Sequence, residues 1–264
     1  MDLGLKDKVA IVTGGSRGIG KACAKELLAE GVRVIIVSKD AAVNAAAARE
    51  LGKDPDTADR VLGIAADLTD DQAIAAMVAQ AAEKFGRIDI LVNSAATVIP
   101  QDFFKMADGA LTALLEQKFN PAARAIRHVV PHMRQRQWGR IINISGLAGR
   151  QPHYPVVPAA LNNSAMLNLT KALAAELAKD NILVNAVVPY IIDTERQDDT
   201  MREWAATTGQ TEAEVRRQRV SRLPVDRMGR PEEVAAVVAF MASERASYVV
   251  GTAWYVDGGG SMTL

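Results

Sequence analysis

The sequence predicts an α/β fold, a single-domain Rossmann-type doubly wound parallel sheet with helices on both faces. Three observations predict it. Short β-branched runs alternate with longer Ala-rich stretches, the β-branched runs are continuously apolar rather than alternating, and a glycine loop joins the first run to the first helical stretch. Unbroken apolar runs suit strands that helices cover on both sides.

Taken in order, Val9 to Val12 reads as the first strand, Thr13 to Gly20 as the glycine loop, and Gly18 to about Glu30 as the first helix. Strands follow at Val32 to Val37, Val61 to Ala65, Ile88 to Val92, Arg140 to Ile144, Ile182 to Val188 and Ala253 to Val256. Helices fall between them at about Ala41 to Leu51, Asp70 to Phe85, Gly109 to Gln137, Val156 to Lys179 and Pro231 to Ala242. Asp70 suits an N-cap, and Pro231 with Glu232 and Glu233 suits a first helical turn. One segment breaks the rhythm: at about residues 190–228, from Tyr190 to Met228, the chain turns polar and Arg-rich. It is expected to form an insertion over the carboxyl ends of the strands, where ligands bind in such sheets. Arg216, Arg217, Arg219 and Arg222 within it suit either an anionic substrate such as a carboxylate or thioester-phosphate carrier or the solvated face of a helix partnered by Glu212 and Glu214, and the solvated face is the expectation.

No linker or charge run divides the 264 residues, so one domain over 1–264 is expected. A net charge of zero argues against nucleic acid or a membrane surface as partner, and no long apolar stretch suggests a membrane span or signal peptide. With a single cysteine, Cys23, a reducing and cytoplasmic location is the expectation. The three histidines lie apart from cysteines and carboxylates at ligand spacing, so no metal site is expected.

Gly14, Gly18 and Gly20 permit a tight turn, close approach to a pyrophosphate, and close packing of the helix on the strand. The helix N-terminus adds free N–H groups and a positive dipole end, which makes the loop a nucleotide cradle. After the second strand, Ser38 and Lys39 stand where such a fold meets the adenosine ribose. An acidic residue there would hold a free 2′-hydroxyl, whereas a hydroxyl and a cation, with Arg17 from the loop, suit a 2′-phosphate. NADP(H) is therefore expected in preference to NAD(H), with Asp40 as the one contrary residue.

With these motifs the chain resembles the short-chain dehydrogenase/reductase family over nearly its full length. The loop matches Thr-Gly-x-x-x-Gly-x-Gly, Asp67-Leu68-Thr69-Asp70 resembles the adenine-contacting turn, and Asn93-Ser94-Ala95-Ala96 resembles the Asn-Asn-Ala-Gly segment. Gly139 to Ser145 resembles the strand before the catalytic serine, Val184 to Pro189 the strand before the Pro-Gly motif, and Val256-Asp257-Gly258-Gly259 the closing motif. The resemblance implies cofactor contacts at Gly14, Ser16, Arg17, Gly18, Ile19, Gly20, Ser38, Lys39, Asp67, Leu68, Asn93, Ala95, Pro189, Ile192 and Thr194. It also implies a small-molecule substrate and a homotetramer or homodimer joined through the long helices.

The family's chemistry rests on a Tyr-x-x-x-Lys pair, and none exists here. The four tyrosines, Tyr154, Tyr190, Tyr248 and Tyr255, are followed four places on by Pro158, Thr194, Thr252 and Gly259. Register with Gly149 and with Thr170-Lys171-Ala172-Leu173 puts Ala159 at the tyrosine and Asn163 at the lysine. The same register puts Gly146 at the catalytic serine, and counting back from Pro131-His132-Met133 puts Lys118 at the active-site asparagine. Candidate catalytic residues are Lys118, entering from the neighbouring helix toward Asn163, Asn163 itself, which can bond a ribose hydroxyl but supplies no charge, and Ser145, Tyr154 and Tyr190. Of these, Ser145 is expected to face away from its neighbour's side of the strand. The reading is an NADP(H)-binding oxidoreductase acting on a carbonyl or alcohol through a nonstandard site. The alternatives are a lyase, dehydratase or isomerase on the same fold, and a catalytically silent nucleotide-binding subunit.

Overall fold

The β-branched runs pair into one sheet, and the Ala-rich stretches between them return the chain to the same end of the sheet each time. In a computed structural model that describes residues 1–96, 102–154 and 156–262, the elements run as follows. The strands are β1 Val9–Thr13, β2 Arg33–Ser38, β3 Val61–Ala65, β4 Ile90–Asn93, β5 Gly139–Ile144, β6 Ile182–Pro189 and β7 Ala253–Val256. The helices are α1 Gly18–Ala29, α2 Ala41–Leu51, α3 Pro55–Ala58, α4 Asp71–Phe85, α5 Ala110–Leu115, α6 Phe119–Arg136, α7 Val157–Leu177, α8 Glu195–Thr208, α9 Glu212–Val220 and α10 Pro231–Ala242. All pairings are parallel, in the order β3-β2-β1-β4-β5-β6-β7. The order reverses at β1 and β4, the switch point of a doubly wound sheet.

Two apolar layers sandwich the sheet. Val12, Ile36, Val92 and Ile142 pack with Cys23, Leu27, Val234 and Val238 of α1 and α10. Ile11, Ile35, Leu91 and Ile141 pack on the other face with Ile74, Met77, Val129 and Leu177 of α4, α6 and α7. Cys23 lies inside the first layer, where burial pushes its thiol up to about 12, so it packs as an apolar side chain. No helix among the described residues is long and apolar enough to cross a membrane.

Besides the short helix α3, which the sequence pattern did not mark, two regions depart from the sequence-based expectation. The stretch read as one helix from Gly109 to Gln137 is two helices with a break at residues 116–118. Pro121 is the cause: its ring would clash with the carbonyl of Gln117 in an uninterrupted helix, but it is tolerated in the first turn of a new one. Asn162 of α7 fastens the break, donating to Leu114 O at 2.9 Å and accepting the Phe119 N–H at 3.3 Å.

The insertion, in turn, contains a helix the sequence reading did not anticipate. Thr194 caps α8, Gly209 in the left-handed region ends it, and a Thr211/Glu214 capping box starts α9. Only Met201, Ala205 and Val215 are buried along these two helices, too sparse a stripe to read as periodicity.

Candidate active site

The glycine loop is fastened at three points. Thr13 Oγ1, at the end of β1, accepts the N–H groups of Ser94 and Ala95 at 3.1 and 3.2 Å, which fixes the start of the β4 loop. Gly14 N–H and Gly15 N–H both donate to Val37 O on β2, at 2.8 and 3.3 Å. Gly14 has φ +67°, and a Cβ there would lie 2.9 Å from Ala95 Cα, while one on Gly20 would lie 2.2 Å from Gly14 O. Neither position accepts a side chain.

The first turn of α1 has no side-chain cap from Arg17, so its N–H groups remain for an anion. Ile19 packs on the core below, Ser16 is half-buried, and Thr194 closes over Gly18. Ile192, buried, bridges to Gly229 and sets the course of the chain after Pro189 at the end of β6. Beside the loop, Asn93 donates to Asn143 Oδ1 at 2.8 Å while its own Oδ1 is buried without a partner. An uncapped helix end, a glycine cradle and an orphaned amide oxygen fit a dinucleotide.

The ribose corner brings Lys39 and Asp67 together. Lys39 is tied to Asp67, Nζ to Oδ2 at 2.8 Å, rather than standing free. That ammonium, with Thr69 N–H and Oγ1, holds the Asp67 carboxyl down at about 2. Leu68 packs beneath this turn. Asp40 is occupied as the cap of α2, accepting the Val43 N–H at 2.9 Å. Arg17 is exposed and forms no ion pair among the described residues.

At the carboxyl ends of β5 and β6, four of the singled-out positions meet. Lys118 sits at the break before α6 with φ −153°, and its side chain turns inward. Its Nζ donates to Asn163 Oδ1 at 2.6 Å and to Ser145 O at 3.0 Å. Ser145 Oγ donates to Asn163 O at 3.0 Å, and its N–H donates to Val187 O. A Cβ on Gly146 would lie 2.8 Å from Asn163 Nδ2, so a serine cannot occupy that position without displacing the amide. Lys118, Ser145 and Asn163 are all less than a tenth exposed. Burial lowers the Lys118 pKa to about 8.

The two candidate tyrosines stand apart from this cluster. Tyr154 is exposed and donates to Asp102 Oδ1 at 2.7 Å, a contact that raises the phenol pKa. It is held by a carboxylate rather than brought to Lys118, and a raised pKa does not suit a base. Tyr190 follows β6, packs with α8 and α9, and lies against Gly260, where an added Cβ would be 2.6 Å from the ring. Ser145, expected to face away, is in contact with Asn163 because β5 ends at Ile144 and the chain turns there.

Sequence reasoning missed Asn162, which holds the break that aims Lys118, and the Asn93–Asn143–Thr170 chain, in which Asn143 Nδ2 donates to Thr170 Oγ1 at 2.9 Å. Amides at otherwise apolar strand and helix positions were the available signal.

A parallel sheet with a glycine cradle at its switch point and polar side chains gathered at the strand ends defines a nucleotide-binding α/β protein of the dehydrogenase type. Residues 14–261 match the family described as Enoyl-(Acyl carrier protein) reductase, and the chain belongs to this short-chain dehydrogenase/reductase family. It is 37% identical over 261 residues to the short-chain reductase protein NovJ of Streptomyces niveus, covering 96% of this chain and 94% of that one. It is 32% identical over 259 residues to the 3-oxoacyl-[acyl-carrier-protein] reductase of Aquifex aeolicus, covering 98% and 99%. Among solved structures, L-sorbose reductase from Gluconobacter frateurii, complexed with NADPH and L-sorbose, superposes with a TM-score of 0.94 at 34% identity, covering 100% of each chain.

Proposed function

We propose that this protein binds NADP(H) and acts on a small carbonyl or alcohol substrate through a rebuilt acid site centred on Lys118. The observation that carries the reading is the Lys118 Nζ to Asn163 Oδ1 contact of 2.6 Å. By the family resemblance these two positions hold an asparagine and a lysine, so the residue types have exchanged across the site. The ammonium is thereby retained but delivered from α6 instead of α7. Gly146 makes room for the Asn163 amide, so the departures fit one another rather than reading as independent losses.

The glycine loop and α1 would hold the pyrophosphate, Asn93 and Ala95 would line the inner end, and Pro189, Ile192 and Thr194 would close the far side. The preference for NADP(H) is supported by Asp40, whose carboxylate caps α2 and is withdrawn from a ribose hydroxyl, and by NADPH in the sorbose reductase structure. A 2′-phosphate would compete with Asp67 for Lys39, with Arg17 as second cation. When bound, a nicotinamide supplies or accepts hydride. Lys118, with two N–H groups held by Ser145 O and Asn163 Oδ1, keeps a third to donate toward a substrate oxygen. With a pKa near 8 it is largely protonated at pH 7 and able to release a proton as an alkoxide forms. The helices α8 and α9 would cover the strand ends and exclude water. A cytoplasmic homo-oligomer is the expected setting.

The test is NADPH consumption against a panel of ketones and aldehydes, for wild type and Lys118→Ala. Loss of a positioned general acid costs about a hundredfold to ten-thousandfold in rate, and that is the expected deficit. Full activity in Lys118→Ala would remove Lys118 from the chemistry. One observation favours a second reading: no phenol lies in the Lys118 cluster among the described residues. Nucleotide binding with no NADPH consumption by wild type would then indicate non-redox proton chemistry if substrate turns over, or a silent nucleotide-binding subunit if it does not.

A further inference from the structure

The insertion carries a cation whose surroundings differ from those of its neighbours. Arg216 is paired, with Nη2 at 3.0 Å from both oxygens of Asp193, and the exposed Arg217 lies near Glu214. Arg222 faces solvent. Arg219 instead turns inward from α9, so the expectation of a solvated face fails at this residue. Its guanidinium carbon stands 5.4 Å from the centre of the Trp204 ring, and its Nη1 is buried with no hydrogen-bond partner. Among the described residues no carboxylate pairs with it. Burial lowers its pKa, the positive charge of Arg222 acts in the same direction, and the Tyr190 side chain acts in the opposite one.

Position gives this orphaned charge its meaning. Tyr190 directly follows β6, and three residues earlier Val187 O accepts the Ser145 N–H of the Lys118 cluster. Tyr190, whose side chain acts electrostatically on Arg219, therefore stands about 10 Å along the chain from the Val187 carbonyl that holds the Lys118 cluster, so Arg219 faces the same end of β6. The indole attracts the guanidinium, but its buried Nη1 without a partner and the missing counter-ion cost stability, which an anion brought to the exposed part of the fork would offset.

We propose that Arg219 is a specificity-determining residue and that the substrate carries a carboxylate that pairs with it. The planar fork of a single guanidinium matches a planar monoanion bidentately, whereas a phosphate dianion calls for further cations or backbone N–H groups. Trp204 holds the fork from one side. This inference rests on the reading that the strand ends near Lys118 form the substrate site, and it adds the chemical class of the substrate.

Binding can be read without turnover. The intact protein is titrated with pyruvate, 4-oxopentanoate and 6-oxoheptanoate and with their methyl esters, following Trp204 emission and heat. The expected result is that at least one oxo acid binds roughly tenfold or more tightly than its ester and perturbs the emission. Arg219→Gln should abolish that preference, Arg219→Lys should retain part of it, and Trp204→Phe should remove the optical signal while the calorimetric preference remains. Arg219→Met should melt at or above the wild-type temperature, since it removes an uncompensated charge.

Equal binding of acid and ester, binding of neither, or an undiminished preference in Arg219→Gln would each overturn the proposal. So would an Arg219→Met variant that melts well below wild type, because Arg219 would then be a packing residue. NADPH binding, read separately from dihydronicotinamide emission, can fail while the acid preference stands, which distinguishes failure of the cofactor reading from failure of this one.

Discussion

Lys118 owes its place to its neighbours on all sides. Its stem runs from the α5–α6 break, its Nζ is held by a side-chain oxygen of α7 and a main-chain oxygen beyond β5, and the Gly146 position leaves space for the Asn163 amide. A lysine whose folded pKa is about 8, against about 10.5 unfolded, binds fewer protons folded than unfolded between those values. Its burial therefore weighs against stability below pH 8, and that burden lifts as pH rises toward 10.5. The stability of wild type relative to Lys118→Met should rise across this window, by up to about 3 kcal/mol, in denaturant titrations at stepped pH. Asn163→Lys alone would set two ammonium groups together and should fold poorly, whereas Lys118→Asn with Asn163→Lys should recover much of the loss. A double-mutant cycle should yield a coupling of about 0.5–3 kcal/mol. The sequence named both residues and the direction of approach. It did not reveal the Ser145 carbonyl contact, because backbone groups carry no signature in residue type.

At the scale of elements, the β1–α1 unit was legible because the strand, glycine turn and helix follow one another within a dozen residues and obey local rules. Its test is equally local: Gly20→Ala drives a methyl into the Gly14 carbonyl and should abolish NADPH binding while the sheet persists, measured by dihydronicotinamide fluorescence and circular dichroism. The α5–α6 break was legible in principle from Pro121, but helical periodicity continues on both sides and concealed it. Asn162, which satisfies a buried carbonyl and an N–H at that break, should cost about 1–3 kcal/mol when replaced by Ala, and the substitution should also lower activity by releasing Lys118. The helices of the insertion were the least legible, since their buried stripe is sparse and capping residues alone marked α8.

Across the whole molecule, the two poles of the sheet differ in kind. The carboxyl ends hold the glycine cradle, the Lys118 cluster and the insertion, while the amino ends are closed by a structural cluster. There Lys8 and Arg140 lie over the Trp138 ring at 3.7 and 4.3 Å, and Trp138 Nε1 donates to Glu244 at 2.8 Å. The fold class followed from the rhythm of apolar runs, but this cluster joins residues more than a hundred positions apart and has no local signature. Acid stability is set elsewhere, at exposed pairs. Asp67, held at about 2 chiefly by Lys39, and Glu233, held at about 2 chiefly by Arg227, contribute stability above their ordinary values of 3.8 and 4.5 that is lost as pH falls through 2. Because both carboxylates are partly solvated, the loss should shrink in high salt, as urea titrations between pH 2 and 5 would register.

The most direct test of the proposal that Lys118 supplies the ammonium is the pH profile of NADPH-dependent carbonyl reduction, compared between wild type and Lys118→Met. A wild-type rate that declines as pH rises through about 8, together with a variant at least a hundredfold slower and without that decline, is the predicted result. A variant that matches the wild-type rate and profile would contradict the account.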